Sequence, residues 1–222
     1  MDIINTDGSI REIDLLKPLN ALLISDHHFS DKKGGFFSIE STRETLKCLL
    51  AIIKELQPYQ IFVLGDLFHY GQQNNRFVFQ IMSFFSEVEQ EVFLIGGNHD
   101  RILIKNQIEV WSGNTFHIYS DYFLMYRTNQ GKIWFSHDGN NPYWLDISEV
   151  PSFLTNLKKA YKIPKQHWFI VGHTHFPCLI KDRRVASLGC FNVEGHNQSL
   201  SYGVVQEISH QISFSLRNAN QS

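Results

Sequence analysis

The stretch Ile61–Tyr70, IFVLGDLFHY, constrains the fold of this chain more than any other. Its first four residues, Ile61 to Leu64, are all apolar. A run of that length is short for a helix and right for a strand buried on both faces, as in the middle of an α/β sheet. Gly65 lets the backbone turn sharply as it leaves the sheet, and Asp66 then stands at the carboxyl end of the strand. Open α/β sheets bind their ligands at that end. Taken alone, the segment also reads as a plain strand followed by an Asp in a turn, so the rest of the chain has to decide.

The same grammar recurs. Ala21–Ile24 is a second apolar strand, ending in Ser25-Asp26-His27-His28, and Val92–Ile95 is a third, running into Gly96-Gly97-Asn98-His99-Asp100. Between them lie two segments with helical spacing. Glu40–Leu56 repeats Leu46, Leu49, Leu50, Ile53 and Leu56, with Ser41-Thr42 as a cap and Pro58 as a stop; Asn75–Val88 repeats Phe77, Ile81, Phe84, Phe85 and Val88. Strand and helix in alternation predict parallel pairing with right-handed crossovers. Before this, Asp7-Gly8 between Ile3-Ile4 and Ile10–Ile13 suggests a small hairpin. Beyond residue 115 come short strands at Phe116–Tyr119, Tyr122–Tyr126 and Lys132–Phe135, then a helix over Ser152–Tyr161. Trp168–Val171, Cys178–Ile180, Arg184–Leu188, Gly203–Ile208 and Gln211–Leu216 are further strands. The expectation is α/β, with two packed sheets and helices outside. The 222 residues, 43% of them hydrophobic, suit one core, and a single domain over 1–222 is expected.

Five loop segments carry metal-type ligands, each just after an apolar strand. They are Asp26-His27-His28, Gly65-Asp66, Gly97-Asn98-His99-Asp100, Ser136-His137-Asp138 and Gly172-His173-Thr174-His175. Any one of them is a weak signal. All five in order at successive strand exits are a strong one, and the i, i+2 histidines of the last can lean the same way.

In these motifs the chain resembles the calcineurin-like metallophosphoesterases. The pattern of that family is D-x-H, G-D, G-N-H-[DE], a single H and G-H-x-H, and it runs here from Asp26 to His175. The resemblance implies a four-layer α/β/β/α sandwich of two mixed sheets flanked by helices. It implies two divalent transition-metal ions, the first held by Asp26, His28 and His175, the second by Asn98, His137 and His173, with Asp66 bridging. Imidazole and carboxylate without thiolate suit manganese first, then iron, zinc, cobalt or nickel. The activity implied is hydrolysis of a phosphomonoester or phosphodiester by a metal-bridging hydroxide, with His99 assisting the leaving oxygen and Asp100 orienting His99. Two features depart from the pattern. The x of D-x-H is His27, although the register of the motif favours His28 as the ligand, and His137 is followed by Asp138-Gly139 where many relatives have glycine directly. A catalytically silent protein-binding scaffold of the same fold is the other class to weigh. Such scaffolds typically lack the leaving-group histidine, which is present here as His99. Gly65-Asp66-Leu67-Phe68 is also similar to the UDP-diacylglucosamine hydrolases, but those have arginine where this chain has His99.

Composition narrows the partners. The net charge is −2, from 20 basic and 22 acidic side chains, with no basic excess that would advertise nucleic acid. No apolar run approaches the roughly 20 residues of a membrane span, and the first residues do not read as a signal peptide. Three scattered cysteines, Cys48, Cys178 and Cys190, fit a reduced, cytoplasmic setting. A small phosphorylated substrate is the expected partner. His69 either lines the site or is a hydrogen-bonded loop histidine, and Arg101 either contacts a phosphate or makes a solvated salt bridge, the salt bridge being favoured. The loop aromatics Phe36, Phe37, Tyr143 and Trp144 either face a substrate or pack their loops onto the body, the second being favoured.

Overall fold

The computed structural model describes residues 10–33, 37–69, 74–99, 115–119, 123–129, 131–137, 145–194 and 200–219. Two six-stranded sheets form its centre. In the first, β2 (Asn20–Ile24), β3 (Gln60–Leu64), β4 (Glu91–Ile95) and β5 (Phe116–Tyr119) run parallel in that order, and β11 (Ser201–Ile208) and β12 (Gln211–Asn218) add antiparallel beside β2. The second has the order β1-β6-β7-β8-β10-β9, from β1 (Ile10–Ile13), β6 (Phe123–Thr128), β7 (Gly131–Ser136), β8 (Trp168–Val171), β9 (Pro177–Ile180) and β10 (Val185–Leu188). Both sheets mix parallel and antiparallel pairs.

The continuous apolar runs have a direct cause: both faces of each central strand are covered. On β3, Ile61 and Val63 join the layer under α1 (Ile39–Leu56) and α2 (Asn75–Glu87). Phe62 and Leu64 face the other way, into the layer between the sheets. Register brings Leu23, Phe62 and Phe93 side by side, and Phe62 stacks on Phe93 at 4.7 Å and on Phe135 of the opposite sheet at 4.5 Å. Each such side chain, fully buried, stabilises the fold by about 1.5–3 kcal/mol. The outer face of the second sheet packs Trp134, Phe169 and Val185 against α3 (Val150–Ala160). The result is the expected four-layer sandwich. Among the described residues no helix is long and apolar enough to cross a membrane.

Local details differ from the sequence reading. The cap of α1 is Ser38, whose Oγ accepts from the Ser41 amide at 3.1 Å; Ser41 and Thr42 lie inside the first turn and bond back to the Ser38 carbonyl. Of its expected stripe, Leu49 and Ile53 are buried, Leu46 and Leu56 pack at the edge, and Leu50 is 49% exposed. Helix α3 begins two residues early because Pro151 suits the first turn, where its missing N–H costs nothing. Ile10–Ile13 pairs in parallel with β6, Ile10 opposite Phe123. The Ile3-Ile4 half of the expected hairpin lies outside the described residues.

Because β2, β3 and β4 are parallel, and β7 and β8 are parallel, their carboxyl ends are brought to one rim of the sandwich. All five ligand-type segments leave from those ends.

Candidate metal centre

The first two ligand loops are laced together before any side chain is considered. Beyond the ends of β2 and β3 the ladder continues: the amides of Asp26, His28 and Phe29 donate to the carbonyls of Gly65, Asp66 and Leu67 at 2.8–3.1 Å. This needs unusual backbone. Asp26, His28, Asp66, His173 and His175 all have positive φ, between 49° and 69°. Non-glycine residues rarely adopt that region, and each costs of order 1–3 kcal/mol when the surroundings hold it there. The glycines make room. A Cβ on Gly65, itself at φ 80°, would collide with the His137 ring, and one on Gly97 would collide with the Asp66 carboxylate.

The side chains converge in three overlapping groups, of which one is His28, His69 and His99 and the other two contain carboxylates. Asp26, His28, Asp66 and His175 each offer a ligand atom within 4.8 Å of the others, and so do Asp66, His137 and His173. Asp66 belongs to both. Asn98 joins the second, its Oδ1 accepting from His137 Nε2 at 3.1 Å and from His173 Nδ1 at 3.0 Å. Within the first group His28 Nε2 lies 3.1 Å from His175 Nε2, and His175 Nε2 lies 3.3 Å from Asp26 Oδ1. Asp26, His28, Asp66, His137 and His175 are buried, whereas Asn98, His99 and His173 reach solvent. The rim therefore opens on the Asn98–His99–His173 side.

Asp66 Oδ2 shows what the cluster is shaped for. It is buried and accepts no well-formed hydrogen bond among the described residues. Yet the Nε2 atoms of His137, His28 and His99 stand 3.3, 3.9 and 4.0 Å away. A buried carboxylate oxygen ringed by imidazole nitrogens just beyond bonding reach fits a cation between them. Burial works against charge on His137, but the Asp66 carboxylate 3.3 Å away, Asp26 and the Leu64 carbonyl raise its pKa to about 10. Burial likewise opposes charge on Asp26 and Asp66. The charge and hydrogen bond of His175, with His137, nevertheless hold Asp26 down to about 2. His137 and His28 hold Asp66 below the ordinary carboxylate range. Burial keeps His28 well below its usual value. The orientation of the His137 ring follows from its partners: Nδ1 donates to the Leu64 carbonyl at 2.7 Å, which aims Nε2 at Asp66 and Asn98.

Supporting residues come from a segment that carries no ligand-type pattern. After β10, Cys190 Sγ donates to the Asp26 carbonyl at 3.0 Å, the Phe191 amide to the Ser25 carbonyl at 2.9 Å, and Asn192 Nδ2 to the His27 carbonyl. Ser25 Oγ bonds Asp26 Oδ2 at 2.6 Å and the Leu64 carbonyl at 2.7 Å. The one sequence signal was that β10 ends in Leu188-Gly189, like the ligand-bearing strands.

His99 is held by two contacts. Its amide donates to Asp66 Oδ1 at 3.0 Å and its Nδ1 to the His69 carbonyl at 2.6 Å, which leaves Nε2 on the side of Asp66 Oδ2, 4.0 Å away. His69 lines the site, its ring stacked on His99 at 5.9 Å and its ligand atom grouped with those of His28 and His99. Phe37 is buried, with its ring on His28 at 4.8 Å and on His69 at 4.6 Å, so it braces the first loop. Asp100, Arg101, Asp138, Phe36, Tyr143 and Trp144 lie outside the described residues.

His27 belongs to none of these ligand groups. It points away from its neighbours into the apolar layer, among Phe29, Phe85 and Phe191, and neither ring nitrogen has a hydrogen-bond partner among the described residues. Burial pushes its pKa down to about 3, so the ring is neutral. An unpaired buried polar group costs about 1–3 kcal/mol. His27→Leu, of similar volume and apolar, is therefore expected to raise the melting temperature by roughly 2–4 °C per kcal/mol recovered. Thermal unfolding of the metal-free variant checks this, and a lower melting temperature would show that the ring makes a bond worth keeping.

A family model for calcineurin-like phosphoesterases matches residues 19–199 of this chain. A probable cyclic nucleotide phosphodiesterase of Pseudoalteromonas sp. (strain SM9913) is 28% identical over 136 residues, covering 59% of this chain and 48% of that protein. The chain thus spans about half the length of that relative. Among solved structures, a dimetal phosphatase from Danio rerio superposes with a TM-score of 0.57 at 11% identity, covering 91% of this chain and 97% of that one. The E. coli phosphoesterase Yfce superposes with a TM-score of 0.55 at 15% identity, over 91% and 100%. At such identities the superpositions speak for the fold. The match of the family model over most of the sequence, on a sandwich of this topology with an Asp/His cluster at its rim, places the chain in the calcineurin-like phosphoesterase family.

Proposed function

We propose that this protein is a two-cation phosphoester hydrolase. The observation that carries the reading is that, of the three groups the ligand atoms form among the described residues, the two that contain a carboxylate share only Asp66, the third being His28, His69 and His99. In this reading Asp26, His28 and His175 would hold one divalent ion, Asn98, His137 and His173 would hold the other, and Asp66 would serve both. When bound, such ions supply Lewis acidity toward phosphoryl oxygens and a water activated near neutral pH. The chain's own residues do the rest. The backbone contacts of the first two loops fix the spacing of the ligands. His99 stands at the open side with Nδ1–H tied to the His69 carbonyl, so the ring in its doubly protonated form would give the Nε2 proton to the leaving oxygen and remain a neutral imidazole with Nδ1–H kept. Asp100 is the residue that the family resemblance puts beside it. The scaffold alternative loses support because His99 and every ligand position are filled.

A small phosphorylated molecule is the proposed substrate. Cyclic nucleotides are the first to test, since the Pseudoalteromonas relative is a probable cyclic nucleotide phosphodiesterase. The experiment is a screen on metal-stripped protein reconstituted ion by ion. It uses nitrophenyl phosphate, bis-nitrophenyl phosphate and cyclic nucleotides. Cleavage of at least one substrate is expected, and faster with Mn²⁺ than with Mg²⁺. Four imidazoles favour the softer ion, while Mg²⁺ prefers oxygen ligands and keeps its waters. Equal or better rates with Mg²⁺ would count against this ligand set. No cleavage with any ion would put the scaffold ahead.

A further inference from the structure

Charge is unevenly spread along this chain. Residues 150–190 hold seven of its 20 basic side chains and one of its 22 acidic ones, Asp182. The topology gathers these cations at one place. Lys158 and Lys159 stand in the last turn of α3, Lys165 in the connection into β8, and Lys181 and Arg183 in a short 3₁₀ turn before β10. Strands β8 and β10 are parallel, Phe169 opposite Val185. The three segments therefore meet where both strands begin, at the opposite end of β8 from Gly172–His175. There they enclose a cavity of about 430 Å³, lined by Lys158, Lys159, Lys165, Arg183, Asp182 and Thr155 among others.

Two of these cations are held in place. Lys158 is 6% exposed, and its ammonium donates to the carbonyls of His167 at 2.5 Å, Arg183 at 2.8 Å, Lys165 at 3.3 Å and Arg184 at 3.4 Å. Carbonyl dipoles satisfy its donors but bring no negative charge, and no carboxylate pairs with it among the described residues. Arg183 is pinned to α3 by Nη1 donating to Thr155 Oγ1 at 3.0 Å. Its one acidic neighbour among the described residues, Asp182, lies 4.0 Å from Nε and is 81% exposed, a weak counter-charge. A buried cation without a counter-ion is costly, and an anion seated beside it offsets that cost.

We propose that this cavity binds a compact multivalent phosphate anion, such as pyrophosphate or the phosphate chain of a nucleotide. Lys159, Lys165 and Arg183 make the contacts, and Lys158 is the fixed positive floor. The volume falls within the roughly 300–1,000 Å³ usual for small-ligand sites. The planar fork of Arg183, already oriented by Thr155, matches two phosphate oxygens. The site is separate from the rim and independent of the activity proposed there.

Calorimetric titration of the full chain with pyrophosphate tests this. The protein is first stripped of metal, so that the rim has no cations to hold phosphate. One saturable site per chain is expected, weaker at high salt because partly exposed charges carry it. Lys165→Ala combined with Arg183→Ala should weaken binding at least about tenfold, as expected for losing two charge-assisted contacts. Both side chains are exposed, and Lys159→Ala, which leaves the Thr155 contact alone, is a second variant with the same expected direction. Asp66→Ala should leave binding unchanged. Absence of binding, or binding that survives the double substitution, overturns the proposal. So does binding of a single-stranded oligonucleotide but not pyrophosphate, lost in the double variant, which would assign the surface to a nucleic-acid backbone.

Discussion

Asp66→Ala is expected to lose both cations and nearly all hydrolysis. Asp66 is the only residue common to the two ligand groups that contain a carboxylate, and its Oδ2 is the atom around which His28, His99 and His137 are arranged. Without it, two dications would face each other with no negative charge between them. Partners that merely support metal ligands cost about 10–100-fold when removed, so loss of the bridging ligand should exceed that range. His28→Ala should be milder in metal content, costing mainly the ion it shares with Asp26 and His175. The comparison is read by elemental analysis and turnover on the same preparations. Full metal content in Asp66→Ala would refute the bridging assignment.

His99→Ala is expected to leave both ions in place and to slow some substrates far more than others. His99 lies outside the two groups that share Asp66, and the His69 carbonyl rather than a carboxylate holds its Nδ1. Its loss removes a proton donor at the open side. General acid help is typically worth about 10²–10⁴-fold. That help matters for a poor leaving group such as a sugar alkoxide and little for a nitrophenolate, which leaves unprotonated. The expected result is a large fall with alkyl phosphate esters and a small one with nitrophenyl esters. If both fall equally at unchanged metal content, His99 acts instead by holding the phosphoryl group.

Most of the fold was legible because its central strands are covered on both faces. That is why Ile61–Leu64 and Val92–Ile95 read as continuous apolar runs, and why the polar residues that interrupt them mark strand ends. The ligand-type residues stood out for the same reason, each lying within four residues past such a run. His27 shows the limit of reading by residue type. The backbone turns at positive φ on both sides of it, at Asp26 and His28, and this aims the position between them into the apolar layer, which residue type alone does not reveal. The support from Cys190 to Asn192 was hidden because it acts on backbone carbonyls through side chains not usually counted as ligands. The parallel pairing of β1 with β6 joins segments more than 100 residues apart, and no local pattern encodes it. The cationic cavity was hidden by averaging: a net charge of −2 conceals a basic end that only the topology assembles.

The most direct test is the number of ions per chain in the wild-type protein. The chain is stripped with chelator, reconstituted with excess Mn²⁺, freed of loose metal by gel filtration and measured by elemental analysis. Two ions per chain are predicted, falling to none in Asp66→Ala. One ion or none in the wild type would contradict the two-cation centre.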